Sequence, residues 1–167
     1  MQQHFDNYFS RMLNAVQGDV WKQVEKLATE ILLARERGKC LFLCGNGGSG
    51  GNAIHLANDF LYLGGKGGHV GLNVEALTAN SSILTCLGND IGYEEIFAYQ
   101  LMVKSTEGDV LIVLSGSGNS ENVVRALEMG NKKGLTTIAI LGYSGGRCLN
   151  LAKIPVHFDI DDMQISE

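Results

Sequence analysis

Apolar residues follow two different patterns along the chain. In residues 1–38 they recur every three or four positions, as at Phe5, Phe9 and Met12 and again at Leu27 and Ile31. This spacing predicts two amphipathic helices. Beyond residue 38, short apolar runs bounded by glycine or polar residues predict strands, most of them separated by helical patterns. These runs lie at residues 40–44, 69–74, 110–114, 136–141 and 154–158.

Strands that alternate with helices are typical of a parallel sheet covered on both faces. We therefore expect an α/β fold, a three-layer sandwich around a five-stranded, mainly parallel sheet of the flavodoxin or Rossmann kind. A length of 167 residues fits one domain. In that domain residues 1–38 form the N-terminal helices and residues 39–167 the α/β core. Pro155 lacks a backbone N–H, so the last strand is expected at an edge of the sheet.

Composition and charge exclude several classes of protein. Hydrophobic residues make up 45% and charged residues 19% of the chain, and the formal net charge is −5. An acidic balance argues against a nucleic-acid or membrane partner, and no apolar stretch approaches the ~20 residues of a membrane span. The N-terminus lacks the pattern of a secretory signal, which predicts a cytoplasmic protein. The four cysteines contain no C-x-x-C pair and are expected to be reduced thiols.

Two loops with the same arrangement carry the candidate chemistry. The sequence GNGGSG at residues 45–50 and the sequence SGSGNS at residues 115–120 each follow an apolar run and precede a helical pattern. Small residues expose backbone N–H groups and hydroxyls at the start of a helix, where the helix dipole favours an anion. We call them the glycine loop and the serine loop, and both predict phosphate binding.

The glycine loop also matches the G-x-G-x-x-G fingerprint of dinucleotide-binding proteins, which needs an acidic residue about 20 positions further on. Glu75 stands near that position. A dinucleotide fold, however, does not need a second loop with three serine hydroxyls, which suit a terminal phosphate monoester. A P-loop is excluded because neither loop ends in Gly-Lys-Ser/Thr. We expect no nucleotide cofactor, and ordinary tight turns remain the alternative for either loop.

Five blocks, in order, resemble one family. They are CGNGGS at 44–49, the helix with His55, LGNDIGY at 87–93, GDVL at 108–111 leading into the serine loop, and LGYSGG at 141–146. The chain resembles the SIS (sugar isomerase) domain family and, within it, the phosphoheptose isomerases. The resemblance implies conversion of sedoheptulose 7-phosphate to an aldoheptose 7-phosphate, in heptose synthesis for lipopolysaccharide or capsule. It also implies a homotetramer with sites at subunit interfaces.

The resemblance also assigns site residues. His55 and Asp59 lie four positions apart and so share one helix face. They match a histidine and the glutamate that serves the family as general base. Asn89 and Asp90 are equally expected to cap a helix near Tyr93, and Asp161 to be an acid at a helix start. The expected substrate and phosphate ligands are Asn46, Gly47, Ser49, Asn89, Asp90, Ser115, Gly116, Ser117, Ser120, Asp161 and Gln164.

Zinc is the cofactor that the resemblance suggests. Some members of the family bind zinc through the histidine and carboxylate that match His55 and Asp59. A glutamine that matches Gln164 and a later histidine complete the set. The candidate zinc ligands here are therefore His55, Asp59 and Gln164, and the last helix is expected to continue beyond Glu167.

The sequence departs from the family pattern near the sugar end of the expected site. Asp59 replaces the longer glutamate, Leu63 and a glycine-rich stretch stand where an arginine is common, and Gly116 replaces a threonine. These departures would allow a substrate whose sugar differs from that of the phosphoheptose isomerases. The alternative function is a non-catalytic sensor or adaptor, as in a relative that binds the replication initiator and has small residues at the position of the base. Asp59 keeps a carboxylate there, which favours the enzyme.

Overall fold

The computed structural model describes residues 1–62 and 70–166. The chain begins with two helices, α1 (Gln2–Ala15) and α2 (Val20–Glu36), as the apolar spacing predicts. Helix α2 buries Ile31 and Ala34 against the sheet, whereas α1 buries none of its residues. Helix α1 therefore presents its apolar side to solvent in this single chain.

The α/β core contains the remaining elements. They are β1 (Leu41–Gly45), α3 (Gly47–Tyr62), β2 (Val74–Ala76), α4 (Ser81–Asp90), a 3-10 turn (Tyr93–Glu95), α5 (Ala98–Lys104), β3 (Val110–Ser115), α6 (Glu121–Lys132), β4 (Thr136–Leu141), α7 (Cys148–Leu151), β5 (Ile154–His157) and α8 (Met163–Ser166). Within the described ranges no helix is both long and apolar enough to cross a membrane.

The five strands form one sheet in the order β2-β1-β3-β4-β5, and every neighbouring pair is parallel. The predicted parallel sheet is thus confirmed, and its order is that of flavodoxin-like folds. Pro155 lies on the edge strand β5, as its missing N–H requires. The chain changes direction across the sheet between β1 and β3, which is the place where such folds bind ligands.

The second strand is not where the apolar run predicts it. Strand β2 begins at Val74, so the prediction of a strand over residues 69–74 is wrong for residues 70–73; His69 and the glycine-rich stretch from Leu63 lie outside the described residues. The N–H of Leu72 donates to the carbonyl of Phe60 at 3.1 Å. Leu72 therefore closes against the end of α3, and pairing with β1 begins only at Asn73, whose carbonyl accepts from the N–H of Leu41 at 2.9 Å.

Alternate residues of the strands fill two cores, one on each face of the sheet. Leu41 and Leu43 point to the side of α2 and α3, and Phe42 and Cys44 point to the side of α5 and α6. This period of two, with helices on both sides, confirms the three-layer sandwich. All four cysteines are free thiols, and burial raises the pKa of Cys148 to about 11, so this thiol is unreactive near neutral pH.

Candidate active site

The glycine loop joins its strand to its helix through a very short turn. Strand β1 ends at Gly45 and α3 begins at Gly47. A Cβ atom on Gly45 would lie 2.8 Å from the carbonyl oxygen of Leu114 and 2.8 Å from the carbonyl carbon of Ser49. Only glycine at this position lets the start of α3 pack directly on the ends of β1 and β3.

The serine loop is longer and rests on a second loop. It leaves β3 at Ser115 and enters α6 after Ser120. Gly118 has a φ of +63°, and a Cβ atom there would lie 2.0 Å from the carbonyl oxygen of Gly145. The N–H of Cys148 donates to the carbonyl of Gly118 at 3.0 Å. The LGYSGG block at 141–146 therefore supports the serine loop from behind.

The serine hydroxyls are held in a way that leaves their protons available. Ser115 Oγ accepts from the N–H of Gly118 at 3.1 Å, and Ser117 Oγ accepts from the N–H of Asn119 at 3.3 Å. A hydroxyl that accepts one hydrogen bond still has its own proton to donate. Ser120 is the N-cap residue of α6, yet its hydroxyl makes no capping hydrogen bond. These hydroxyls are thus suited to donate to an anion.

The two loops line a small cavity at the carboxyl ends of β1 and β3, which we call the phosphate cavity after the ligand that the sequence predicts. Its volume is about 130 Å³, and none of the residues that line it is charged. An anion bound there would be held by hydroxyls, backbone N–H groups and the N-terminal ends of α3 and α6, as is common for phosphate. The lining residues are Asn46, Ser49, Leu114, Ser115, Gly116, Ser117, Ser120 and Met163.

The structure therefore brings six of the predicted ligands together around one cavity, and their binding of phosphate stays a prediction. Gly47 is the exception among the loop residues, because it lines a neighbouring cavity instead. Met163, from α8, lines the phosphate cavity and is absent from the sequence-based set. Only its position at the start of the last helix could have indicated it.

A hydrogen-bonded group beside the cavity was also missed by the sequence analysis. The side-chain amides of Asn46 and Asn122 are hydrogen-bonded to each other, and the Tyr93 hydroxyl donates to Asn46. Tyr93 ends the LGNDIGY block and Asn122 follows the serine loop by two positions. Those two placements are the only sequence signals that could have indicated them.

His55 and Asp59 form the expected pair on α3. His55 Nε2 lies 3.4 Å from Asp59 Oδ2, with side-chain exposures of 74% and 32%. At about 100° per residue, the two side chains lie about 120° and 80° around the helix from Ser49, and roughly 9 and 15 Å along its axis. Neither residue lines the phosphate cavity of its own chain. The pair faces outward, toward solvent or a neighbouring molecule.

Asn89 and Asp90 lie apart from the cavity, at the exposed C-terminal end of α4. Asn89 Nδ2 donates to Asp90 Oδ1 at 2.8 Å. The prediction that they cap the turn at Tyr93 is wrong, since Gly92 is the N-cap residue of that turn. Their expected contact with substrate stays a prediction.

The last helix also differs from expectation. Asp162, and not Asp161, accepts from the first backbone N–H groups of α8, including that of Gln164 at 3.0 Å. Arg11 of α1 forms an ion pair with Asp162 at 2.9 Å, which ties the two ends of the chain together. Asp161 and Gln164 are exposed and do not line the phosphate cavity, so their substrate role stays a prediction.

The structure places two of the three candidate zinc ligands, His55 and Asp59, side by side. Catalytic zinc takes three protein ligands and a water. His55 and Asp59 supply two, and in residues 1–62 and 70–166 no group of three His, Cys, Asp or Glu side chains is placed to hold a metal ion. Zinc binding by His55, Asp59 and Gln164 stays a prediction.

Together, the flavodoxin-like fold and a cavity at two helix N-termini are typical of α/β proteins that bind phosphorylated ligands. The SIS domain family model matches residues 4–142. The chain belongs to the SIS domain family.

Its relatives point to one branch of that family. The phosphoheptose isomerase of Aneurinibacillus thermoaerophilus is 39% identical over 136 residues, which cover 80% of this chain and 67% of the relative. That of Akkermansia muciniphila is 40% identical over 150 residues, covering 89% and 75%. The solved phosphoheptose isomerase of Neisseria gonorrhoeae superposes with a TM-score of 0.87 at 27% identity, covering 99% of this chain and 89% of that one.

Proposed function

We propose that this protein is an aldose–ketose isomerase that converts sedoheptulose 7-phosphate to D-glycero-D-manno-heptose 7-phosphate. The observation that carries the proposal is the uncharged cavity between the glycine loop and the serine loop, joined by α3 to the pair of His55 and Asp59. The identity of 39–40% to phosphoheptose isomerases supports the choice of sugar. A cytoplasmic role in heptose precursor synthesis for lipopolysaccharide or capsule belongs to the same proposal.

The reaction needs one base and one site for developing negative charge. A carboxylate removes a proton from C1 of the ketose, which forms an enediol, and return of a proton to C2 gives the aldose. The hydroxyl proton of O1 moves to O2, so the reaction is a net isomerisation without an external oxidant. Asp59 is the proposed base, and His55 at 3.4 Å orients its carboxylate. The serine loop holds the phosphate at the opposite end of the sugar.

The outward orientation of this pair supports a site that two subunits share. The face of α3 around it exposes the apolar side chains of Ile54, Leu61 and Tyr62, and α1 exposes Phe5 and Phe9. Exposed apolar surface of this kind is typical of a protein interface. We propose a homotetramer in which Asp59 of one subunit acts on sugar held by the serine loop of another.

The direct test is incubation with sedoheptulose 7-phosphate in deuterated water, followed by NMR. The expected result is aldoheptose 7-phosphate that carries deuterium at C2. Failure to convert or exchange this sugar, with its binding intact, would contradict the isomerase and favour the sensor or adaptor. A protein that neither binds nor converts it would contradict both.

The shared site has a test of its own. Light scattering should give the mass of four chains. Mixing Ser117→Ala protein with Asp59→Asn protein should create some sites with both native residues and restore a component with wild-type KM. Two results would mean that the whole site lies within one chain. One is a monomer in solution, and the other is a mixture whose activity equals the summed activities of the two variants.

A further inference from the structure

A buried pair of amides joins the two loops that form the phosphate cavity. Asn122 is the second residue of α6 and is only 1% exposed. Its Nδ2 donates to Asn46 Oδ1 at 2.8 Å, and its Oδ1 accepts from Asn46 Nδ2 at 2.9 Å. The pair links the end of the glycine loop's strand to the helix that follows the serine loop.

Tyr93 adds a third hydrogen bond to this pair. Its hydroxyl donates to Asn46 Oδ1 at 3.0 Å, so both lone pairs of that oxygen are used. One N–H of the Asn46 amide remains for a ligand. The side chain that the sequence analysis expected to bind substrate is therefore mostly engaged with the protein.

Asn46 also lies between two neighbouring cavities and lines both of them. It lines the phosphate cavity, and on its other side it lines a cavity of about 370 Å³ together with Gly47, Thr78 and Tyr93. Any shift of its amide changes the width of the phosphate cavity. The position of Asn46 therefore depends on the hydrogen bonds from Asn122 and Tyr93.

We propose that Asn122 is a positioning residue for phosphate binding: through Asn46 it holds the glycine loop at the distance from the serine loop that a phosphate requires. Tyr93 supports the same amide from outside. This inference rests on the proposed function for the identity of the sugar, but its phosphate part can be measured without any turnover.

Helix α6 offers a matched control at its other end. Asn131 Nδ2 donates to the carbonyl of Leu151 at 2.9 Å, and Asn131 Oδ1 accepts from Thr137 at 2.7 Å. Asn131 is half-buried and equally well bonded, and it does not line the phosphate cavity. Asn131→Ala should lower stability much as Asn122→Ala does, without an effect on the loops.

The experiment compares the two alanine variants in melting temperature, kinetics with sedoheptulose 7-phosphate, and affinity for inorganic phosphate by calorimetry. Asn122→Ala should raise KM and the phosphate Kd about tenfold, which is about 1.4 kcal/mol, with kcat changed less than about threefold. Asn131→Ala should leave all three kinetic and binding constants unchanged. The double variant Asn46→Ala/Asn122→Ala should bind phosphate no more weakly than Asn46→Ala alone, because the two residues act through one contact.

Tyr93→Phe tests the same support of Asn46 if Asn122→Ala does not fold. Tyr93 is 61% exposed, so loss of its hydroxyl should leave the melting temperature nearly unchanged and raise the phosphate Kd about two- to fourfold. Tyr99→Phe on α5 is the control and should change nothing.

Two results would overturn the inference. One is an Asn122→Ala protein that melts earlier but binds phosphate like wild type, together with a silent Tyr93→Phe. The other is a wild-type protein with no measurable phosphate binding. A wild-type protein that binds phosphate but does not turn over the sugar would reject the proposed function alone, and the calorimetry would still test Asn122.

Discussion

The two loops have the same sequence arrangement but differ in how they meet their helices. A single residue, Asn46, separates β1 from α3, whereas residues 116–120 separate β3 from α6. The short turn places the start of α3 directly on the sheet and offers backbone N–H groups. The longer loop presents three serine hydroxyls and needs the LGYSGG loop behind it. Two similar motifs thus line one cavity in complementary ways.

The helices that follow the loops differ even more. Helix α6 is largely buried, and its Asn122 contacts the opposite loop. Helix α3 carries the exposed His55 and the half-buried Asp59. This difference agrees with the proposed function, in which α3 supplies the base that substrate must reach and α6 supports the loops.

The largest expected effect tests the rigidity of the serine loop. Gly118→Ala combines a positive φ with a contact of 2.0 Å to the carbonyl oxygen of Gly145. We expect a loss on the order of 2–5 kcal/mol in the free energy of unfolding. In the glycine loop, Gly47 also has a positive φ, but a Cβ there meets open space, so Gly47→Ala should cost only about 1–2 kcal/mol.

Urea unfolding measures both glycine variants. If both variants lose the same free energy of unfolding, the serine loop can move to accommodate the added methyl group. The contrast between a packed serine loop and an open glycine loop would then be wrong.

The next largest effect compares the loss of a carboxylate on α3 with the loss of one on α6. Asp59→Asn removes the proposed base and should lower kcat by at least about 100-fold, the lower range for general base catalysis, with little change in KM. Glu128→Gln neutralises an exposed carboxylate on α6 and should leave kcat unchanged. Steady-state kinetics measures both variants. A normal kcat for Asp59→Asn would show that Asp59 is not the general base.

The smallest effect concerns the hydroxyls. Ser117→Ala should weaken substrate binding by about 1.5–3 kcal/mol, the range for a hydrogen bond to a charged group. Ser49→Ala should weaken it less, because Ser49 is buried and has little surface to offer an anion. KM and phosphate calorimetry measure both. A greater loss for Ser49 than for Ser117 would reverse the assignment of binding to the serine loop.

Much of the site could be predicted because its parts are local in sequence. A strand, a run of small residues and a helix follow one another within about 20 residues at each loop, and the i,i+4 spacing places His55 beside Asp59 without any tertiary information. The strand around Val74 was misplaced because an apolar run carries no signal for which of its residues will pair with β1. Asn122 was missed because its partner, Asn46, is distant in the chain.

The sequence by itself determined the alternation of strands and helices, the positions of the glycine and serine loops, and the pairing of His55 with Asp59, since these depend on periodicity and on backbone freedom. Only the tertiary structure decided that β1 and β3 are neighbours, which brings Ser49 and Ser117 to one cavity. It also decided that Asp59 does not line that cavity, because the rotation of α3 is set by packing of residues such as Ala53 against the sheet. Strand order and helix rotation arise from burial of surfaces distant in the chain, and no local pattern encodes them.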